Sequence, residues 1–108
     1  MQDLNEIRIT GTIVNEPKYL KTATDGTLAR LSVAVHRPEP SKAIDFLNVI
    51  AWNEVAEFIQ ERFHEQSRIS LVGTLQYQKY KGSDGTDKRA YRIVATNVLD
   101  PSVEEGEV

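Results

Sequence analysis

With 108 residues, 40% of them hydrophobic, the chain has enough apolar material for one compact domain and not two. It contains no cysteine, which excludes disulfides, thiolate chemistry and zinc fingers, and it has no apolar run long enough to span a bilayer and no basic-then-apolar start of the signal-peptide kind, so a soluble cytoplasmic protein is the expectation. The formal charge of -3 argues against a nucleic-acid partner only until it is resolved along the chain: Asp100, Glu104, Glu105 and Glu107 crowd the last nine residues, and the 12 remaining acids face 13 bases, a body of +1.

From Asn5 to Val14 the pattern alternates, Ile7, Ile9, Gly11 and Ile13 against Glu6, Arg8, Thr10 and Thr12, as in a half-buried strand. Gly11 inside it suggests a bend or a close backbone approach. Pro17 ends the strand, and Asp25-Gly26 supplies a turn because that pair readily takes positive backbone angles. Thr27 to Arg37 is a second strand, with Ala29, Leu31, Val33 and Val35 opposed to Leu28, Arg30, Ser32, Ala34 and His36. A stiff loop with two prolines, Pro38 and Pro40, leads into a third strand, Asp45 to Trp52.

That third strand has two unlike faces. Leu47, Val49 and Ala51 are plain core, whereas Phe46, Asn48, Ile50 and Trp52 set rings at both ends of a row that also carries an amide. Taken alone, such a strand is most simply read as sandwiched between two apolar layers with Asn48 satisfied by a neighbour. The same row also suits a surface that stacks flat, hydrogen-bonding ligands such as nucleotide bases.

Asn53 is a good N-cap, and Val55, Phe58, Ile59 and Phe63 recur at helical spacing, so one helix of about three turns follows. Its exposed positions include Glu54, Glu57, Glu61 and Glu65, which leaves the strands and loops distinctly basic. A fourth strand places Ile69, Leu71, Gly73, Leu75 and Tyr77 on the core face and Ser70, Val72, Thr74, Gln76, Gln78 and Tyr80 on the other. Gly82-Ser83-Asp84-Gly85 is a hairpin tip flanked by Lys79, Lys81, Lys88 and Arg89, and Tyr91 to Leu99 is a fifth strand. Residues 1–100 therefore form the domain, and 101–108 are expected to be a short acidic, disordered tail.

Five strands of this kind, with one helix between the third and fourth, cannot leave an apolar face in water, and a small closed barrel solves that while removing exposed edges. The order fits the all-β, five-stranded Greek-key barrel of the OB-fold, which binds oligonucleotides or oligosaccharides across its second and third strands. An open sheet packed on the helix, or another small barrel, are the alternatives.

Little supports catalysis. His36 and His64 sit in different elements without metal-ligand spacing, and neither a glycine-rich phosphate cradle nor a nucleophile elbow occurs, so no cofactor, no metal and no enzyme are expected. Binding has more behind it. Phe46 and Trp52 share the outer face of the third strand, and Tyr80 stands on the outer face of the fourth at the root of a basic hairpin. Lys79, Lys81, Lys88 and Arg89 around that hairpin, with Arg37 and Lys42 in the proline loop and Arg30 and Asn48 on the outer strand faces, can meet phosphates and polar base edges while the rings stack bases. Equally, lysine-rich hairpin tips serve many barrels merely by discouraging edge pairing.

Several pieces in register then carry a resemblance. Asn5-x-Ile-x-Ile-x-Gly11-x-Ile, Pro17, the turn at Gly26, Ala29-Arg-Leu-Ser-Val-Ala-Val35-x-Arg37, Asp45-Phe-x-Asn-Val-Ile-Ala-Trp52, Val72-Gly-Thr-Leu75 and Ile93-Val-Ala95 resemble the bacterial single-stranded DNA-binding protein family over about residues 4 to 99. The resemblance implies an OB-fold without catalytic activity, usually a homotetramer although a dimer is possible, that holds single-stranded DNA with little sequence preference in replication, recombination or repair, and is nucleoid-associated. It sets that family's stacking aromatics on Phe46, Trp52 and Tyr80, the residues the face argument selects independently.

The chain also departs from the family. Arg37-Pro38 stands where some members carry a further aromatic, Gln76 and Gln78 replace residues often basic, and the loop from Arg37 to Ile44 is short. The end, Glu104-Glu-Gly-Glu-Val108, lacks the long tail with a terminal aromatic that recruits replication and repair proteins, which leaves recruitment by that route in doubt. The second reading is a primosome-type accessory module on the same fold, engaging protein partners more tightly than nucleic acid.

Overall fold

The computed structural model describes residues 2–101, so the tail expected from residue 101 onward lies, apart from Pro101, outside the described residues. Six strands and one helix run in the order β1 (Ile7–Ile13), β2 (Lys18–Lys21), β3 (Thr27–His36), β4 (Ile44–Trp52), α1 (Asn53–Arg62), β5 (Arg68–Lys81) and β6 (Asp87–Leu99). Among the described residues no helix is long and apolar enough to cross a membrane.

Five of the strands close a ring. β1 lies antiparallel to β5 from Ile7 beside Gly73 to Thr12 beside Arg68, and its last residues cross to β3, Thr12 beside Ala34 and Ile13 beside Val33. β3 and β4 form a hairpin from Leu28 and Trp52 to His36 and Ile44; β5 and β6 form a longer one; and β4 meets β6 in parallel only at Val49 beside Ile93 and Ile50 beside Val94. The result is the OB-fold barrel with its helix after the third strand of the ring.

The sixth strand is an addition to the expected five. Lys18–Lys21 pairs with the first half of β3, Lys18 beside Arg30 through Lys21 beside Thr27, outside the ring. Four residues reading Lys-Tyr-Leu-Lys are too short to show a period, but the expected Asp25-Gly26 turn makes the pairing: the Thr22 and Gly26 backbones bond across it, and Asp25 takes φ 65°. β3 thus gives its edge to β2 near its start and to β1 near its end.

The core is built from alternate positions of the ring strands, including Ile13, Val33, Val49, Ile69 and Leu71, and is closed at one end by Ala56, Ile59 and Phe63 of the helical segment. Phe58 packs edge to face on Phe63 with centroids 6.1 Å apart, and the Arg62 guanidinium lies 5.3 Å above the Phe58 ring. Asn53 does not cap the helix as expected. With φ 50° its side-chain oxygen accepts a 3.3 Å bond from the Thr27 N–H, and Trp52 occupies the cap position without a side-chain bond. Beyond the helix, the Glu16 carboxylate accepts from the Glu65 N–H and meets His64 Nδ1, each at 3.0 Å; the backbone bond, then the histidine, hold its pKa below the ordinary glutamate value.

A one-residue irregularity retunes β6. Gly73 faces Ala95 but Val72 faces Asn97, so Thr96 is the extra residue of a bulge, and its hydroxyl donates to the Val72 carbonyl at 3.1 Å. The slip lets Ala95 and Val98, three apart, both enter the core.

Beyond the bulge the core face ends sooner than the sequence pattern suggests. Leu75 and Tyr77, read as core, are 41% and 50% exposed because β5 and β6 outrun the barrel and project as an arm. Alternation continues along the arm, but there is no interior for it to face.

Gly11 is the close approach anticipated above: a Cβ there would lie 2.4 Å from the Ala34 carbonyl oxygen, across the contact that closes the ring. Gly73 is similar, with the Val94 carbonyl oxygen 2.2 Å from the same hypothetical atom. Alanine at either position is expected to cost about 1 to 3 kcal/mol by overpacking, a fall in Tm of roughly 4 to 8 °C per kcal/mol for a domain of this size. Thermal unfolding by circular dichroism checks this, with Ser83→Ala on the exposed hairpin tip as the comparison expected to shift little.

Candidate nucleic-acid interface

The outer row of β4 is open as the sequence requires. Phe46 is 63% and Trp52 42% exposed, six residues and therefore about 20 Å apart along one face. Cross-strand register sets Ala34 beside Phe46, Ser32 beside Asn48, Arg30 beside Ile50 and Leu28 beside Trp52. β2 extends two of these rows outward, adding Lys18 beside Arg30 and Leu20 beside Leu28. Ile50 is covered within the chain, shielded where β4 meets β6.

Past that short parallel contact the two hairpins separate, and a cleft of about 340 Å³ opens between them. Leu31, Val49 and Ile50 line it beneath Arg30 and Asn48 from the β3–β4 side and Gln78, Tyr80, Ala90, Tyr91 and Arg92 from the arm. A neighbouring recess shares Arg30, Leu31 and Asn48 and adds Asn15, Glu16, Lys18 and Ser32, so one depression continues into the next. Tyr80, 49% exposed, is thereby brought close to Arg30 and Asn48 although fifty and thirty-two positions separate them in the chain.

The predicted cations fall into three groups. Arg30 and Lys88 serve the cleft side: Arg30 lines it, and Lys88 lies directly opposite Tyr80 on the same face of the arm. Lys79, Lys81 and Arg89 point by strand alternation to the arm's other face. Two of the expected phosphate contacts are already partnered. Arg37 makes a two-pronged bond to Asp45, Nε to Oδ2 at 3.1 Å and Nη2 to Oδ1 at 2.9 Å, and Lys81 Nζ lies 2.8 Å from Asp87. The guanidinium holds the Asp45 carboxyl below its usual range, and the same bond pushes the Arg37 pKa up.

Sequence reasoning missed Tyr91, Arg92 and Lys18. Tyr91 and Arg92 were within reach, because the hairpin tip at Gly82–Gly85 fixes the register and counting outward pairs Tyr77 with Tyr91 and Gln76 with Arg92. Arg92 Nε indeed donates to Gln76 Oε1 at 3.3 Å. Lys18 belongs to the strand that carried no periodic signal. Among the described residues no group of three or more His, Asp or Glu side chains is placed to hold a metal ion.

Residues 4–100 match the model of the Single-strand binding protein family. Single-stranded DNA-binding protein 2 of Chlorobaculum tepidum is 26% identical over 105 residues, covering 91% of this chain and 71% of its own length. Single-stranded DNA-binding protein 1 of Streptococcus pyogenes serotype M6 is 35% identical over 80 residues, 70% of this chain and 61% of its own. The single-stranded DNA-binding protein of Fusobacterium nucleatum is 31% identical over 101 residues, 88% of this chain and 65% of its own. This chain therefore spans somewhat under to somewhat over two thirds of these relatives. The family match takes in every strand of the barrel, the helix and the whole cleft, and the chain belongs to the single-strand binding protein family.

Proposed function

We propose that the protein binds single-stranded DNA with little sequence preference and without catalysis, in replication, recombination or repair. Bases stack on Phe46, Trp52 and Tyr80; Arg30, Asn48 and Lys88 make polar and phosphate contacts around the cleft; Lys79 and Arg89 attract the backbone from the arm. The observation that carries this is a cleft that brings Tyr80 to Arg30 and Asn48, with Phe46 and Trp52 solvent-open on the same β4 face as Asn48 and no ion pair to Arg30 among the described residues. Every base has a flat face, so stacking tolerates any sequence. The names of the relatives agree with it. Such a protein works with the nucleoid, in the cytoplasm.

Self-association as a homotetramer goes with this reading. On the side of β1 away from β5, only Thr12 and Ile13 are paired, to β3, which leaves the Ile7–Gly11 edge open to a second chain. Light scattering is expected to give four subunits; a monomer at micromolar concentration removes this part of the proposal.

Neutralisation of Arg37 and Lys81 within the chain lends some support to the accessory-module reading, in which DNA is held weakly and a protein partner tightly. Pull-down of a replication protein at a salt concentration that abolishes DNA binding distinguishes the two.

Alanine at Phe46, Trp52 or Tyr80 is expected to weaken oligo(dT) binding by about 1 to 3 kcal/mol for each base lost from a ring. Quenching of the lone Trp52 reports the other two variants and a gel shift reports all three; unchanged affinity in all of them contradicts the stacking assignment. Asp45→Asn breaks the ion pair and removes one acid beside Phe46, so binding should tighten and the logarithmic salt slope should steepen by up to roughly 0.7, the value of one additional phosphate contact on a single strand. Titrations at several salt concentrations measure both quantities.

A further inference from the structure

The arm carries a second pair of rings that the groups assigned above leave unused. Tyr77 and Tyr91 are direct cross-strand partners, their centroids 5.5 Å apart and their planes at 62°. An edge-to-face contact explains why the two rings meet, yet it leaves one ring with both faces clear of the other and the second with one face clear. Neither ring is packing the core. The barrel interior ends one register inward, where Ile93 is buried but its partner Leu75 is already 41% exposed, and the tyrosines themselves are 50% and 62% exposed.

One register further out, Lys79 stands directly opposite Arg89, and no ion pair among the described residues neutralises either. Two cations facing each other across strands repel unless an anion lies over them. The face therefore presents, side by side, what a base needs and what a phosphate needs. A second copy packed about a two-fold axis parallel to the strands would set Lys79 and Arg89 of one copy against those of the other and supply no anion.

Resting on the DNA-binding reading above, we propose that Tyr77 and Tyr91, with Lys79 and Arg89, form a second base-stacking subsite for the same single strand. Tyr91 also lines the cleft, so the strand passes from the cleft over the β6 edge of the arm onto its far face. Both faces of the arm then hold DNA, Tyr80 on one and the tyrosine pair on the other.

The test compares thymidine oligomers of about four and about sixteen nucleotides, the two ends of the range one OB-fold covers. Tyr77→Ala, which removes a ring of the pair without touching the cleft lining, should bind the short oligomer as the parent does and the long one about five- to a hundredfold more weakly, while Tyr77→Phe, which keeps the ring, should match the parent. Phe46→Ala should weaken both oligomers. As a measurement independent of substitution, a long oligomer carrying photoreactive iodouracil should crosslink to Tyr77 or Tyr91 in the unaltered protein. Parental affinity of Tyr77→Ala for the long oligomer, with Phe46→Ala still weakened, overturns the subsite and leaves the cleft assignment standing. A fall in subunit number for that variant with unchanged DNA affinity also overturns it, in favour of an interface between copies. Absence of any binding by the parent protein removes both readings.

Discussion

Val49 beside Ile93 and Ile50 beside Val94 are the only positions at which β4 and β6 touch in register, and the rest of the molecule is arranged by that contact. Parallel strands cannot be joined by a tight turn, so the chain between them must leave and return; here it does so through α1 and the whole of β5. Because the contact is only two residues long, it links the two ribbons within the ring without holding the hairpins together beyond it. The β3–β4 and β5–β6 ribbons then diverge, and the wedge between them is the cleft that brings Tyr80 to Arg30 and Asn48. The continuity of the barrel and the opening of the cleft thus both depend on one short pairing.

The electrostatic character of the site is local. A net charge of -3 says little when acids collect on the helix and near the C-terminus, the cleft presents Arg30 and Arg92, and Lys88 stands opposite Tyr80. The number of available cations is smaller than their count in the sequence, since Asp45 and Asp87 each hold one. Exposed pairs of this sort contribute little to stability, so their larger effect is on how strongly a polyanion is attracted. Gln76 and Gln78, on the same face of the arm as Tyr80, add no cation there, so in the proposed function the electrostatic share of the affinity is reduced.

Strand alternation in Ala29–Val35 and Phe46–Trp52 was sufficient to assign faces, because both strands lie within the ring and one side of each meets a core. It failed at Tyr77 for a physical reason. A period of two says which residues share a face, but not whether an interior lies opposite, and β5 runs on for several residues after the interior has ended. The short β2 was silent because four residues cannot display a period. Asn53 was a reasonable cap by residue type, and it was diverted by a competing donor, the Thr27 N–H, twenty-six positions away. The pairing of Arg37 with Asp45 was likewise invisible, since it depends on the hairpin bringing the two sides of the proline loop together, whereas the position of Gly11 announced a close approach correctly.

Trp52 closes β4 and stands at the cap position of α1, so its main chain is held by the sheet on one side and by the first helical turn on the other. The next residue is fastened in turn to the start of β3 through the Asn53 side chain. In the proposed stacking role a ring mounted on such a joint is preorganised, and the entropy lost on docking would come chiefly from the flexible polynucleotide and little from the protein.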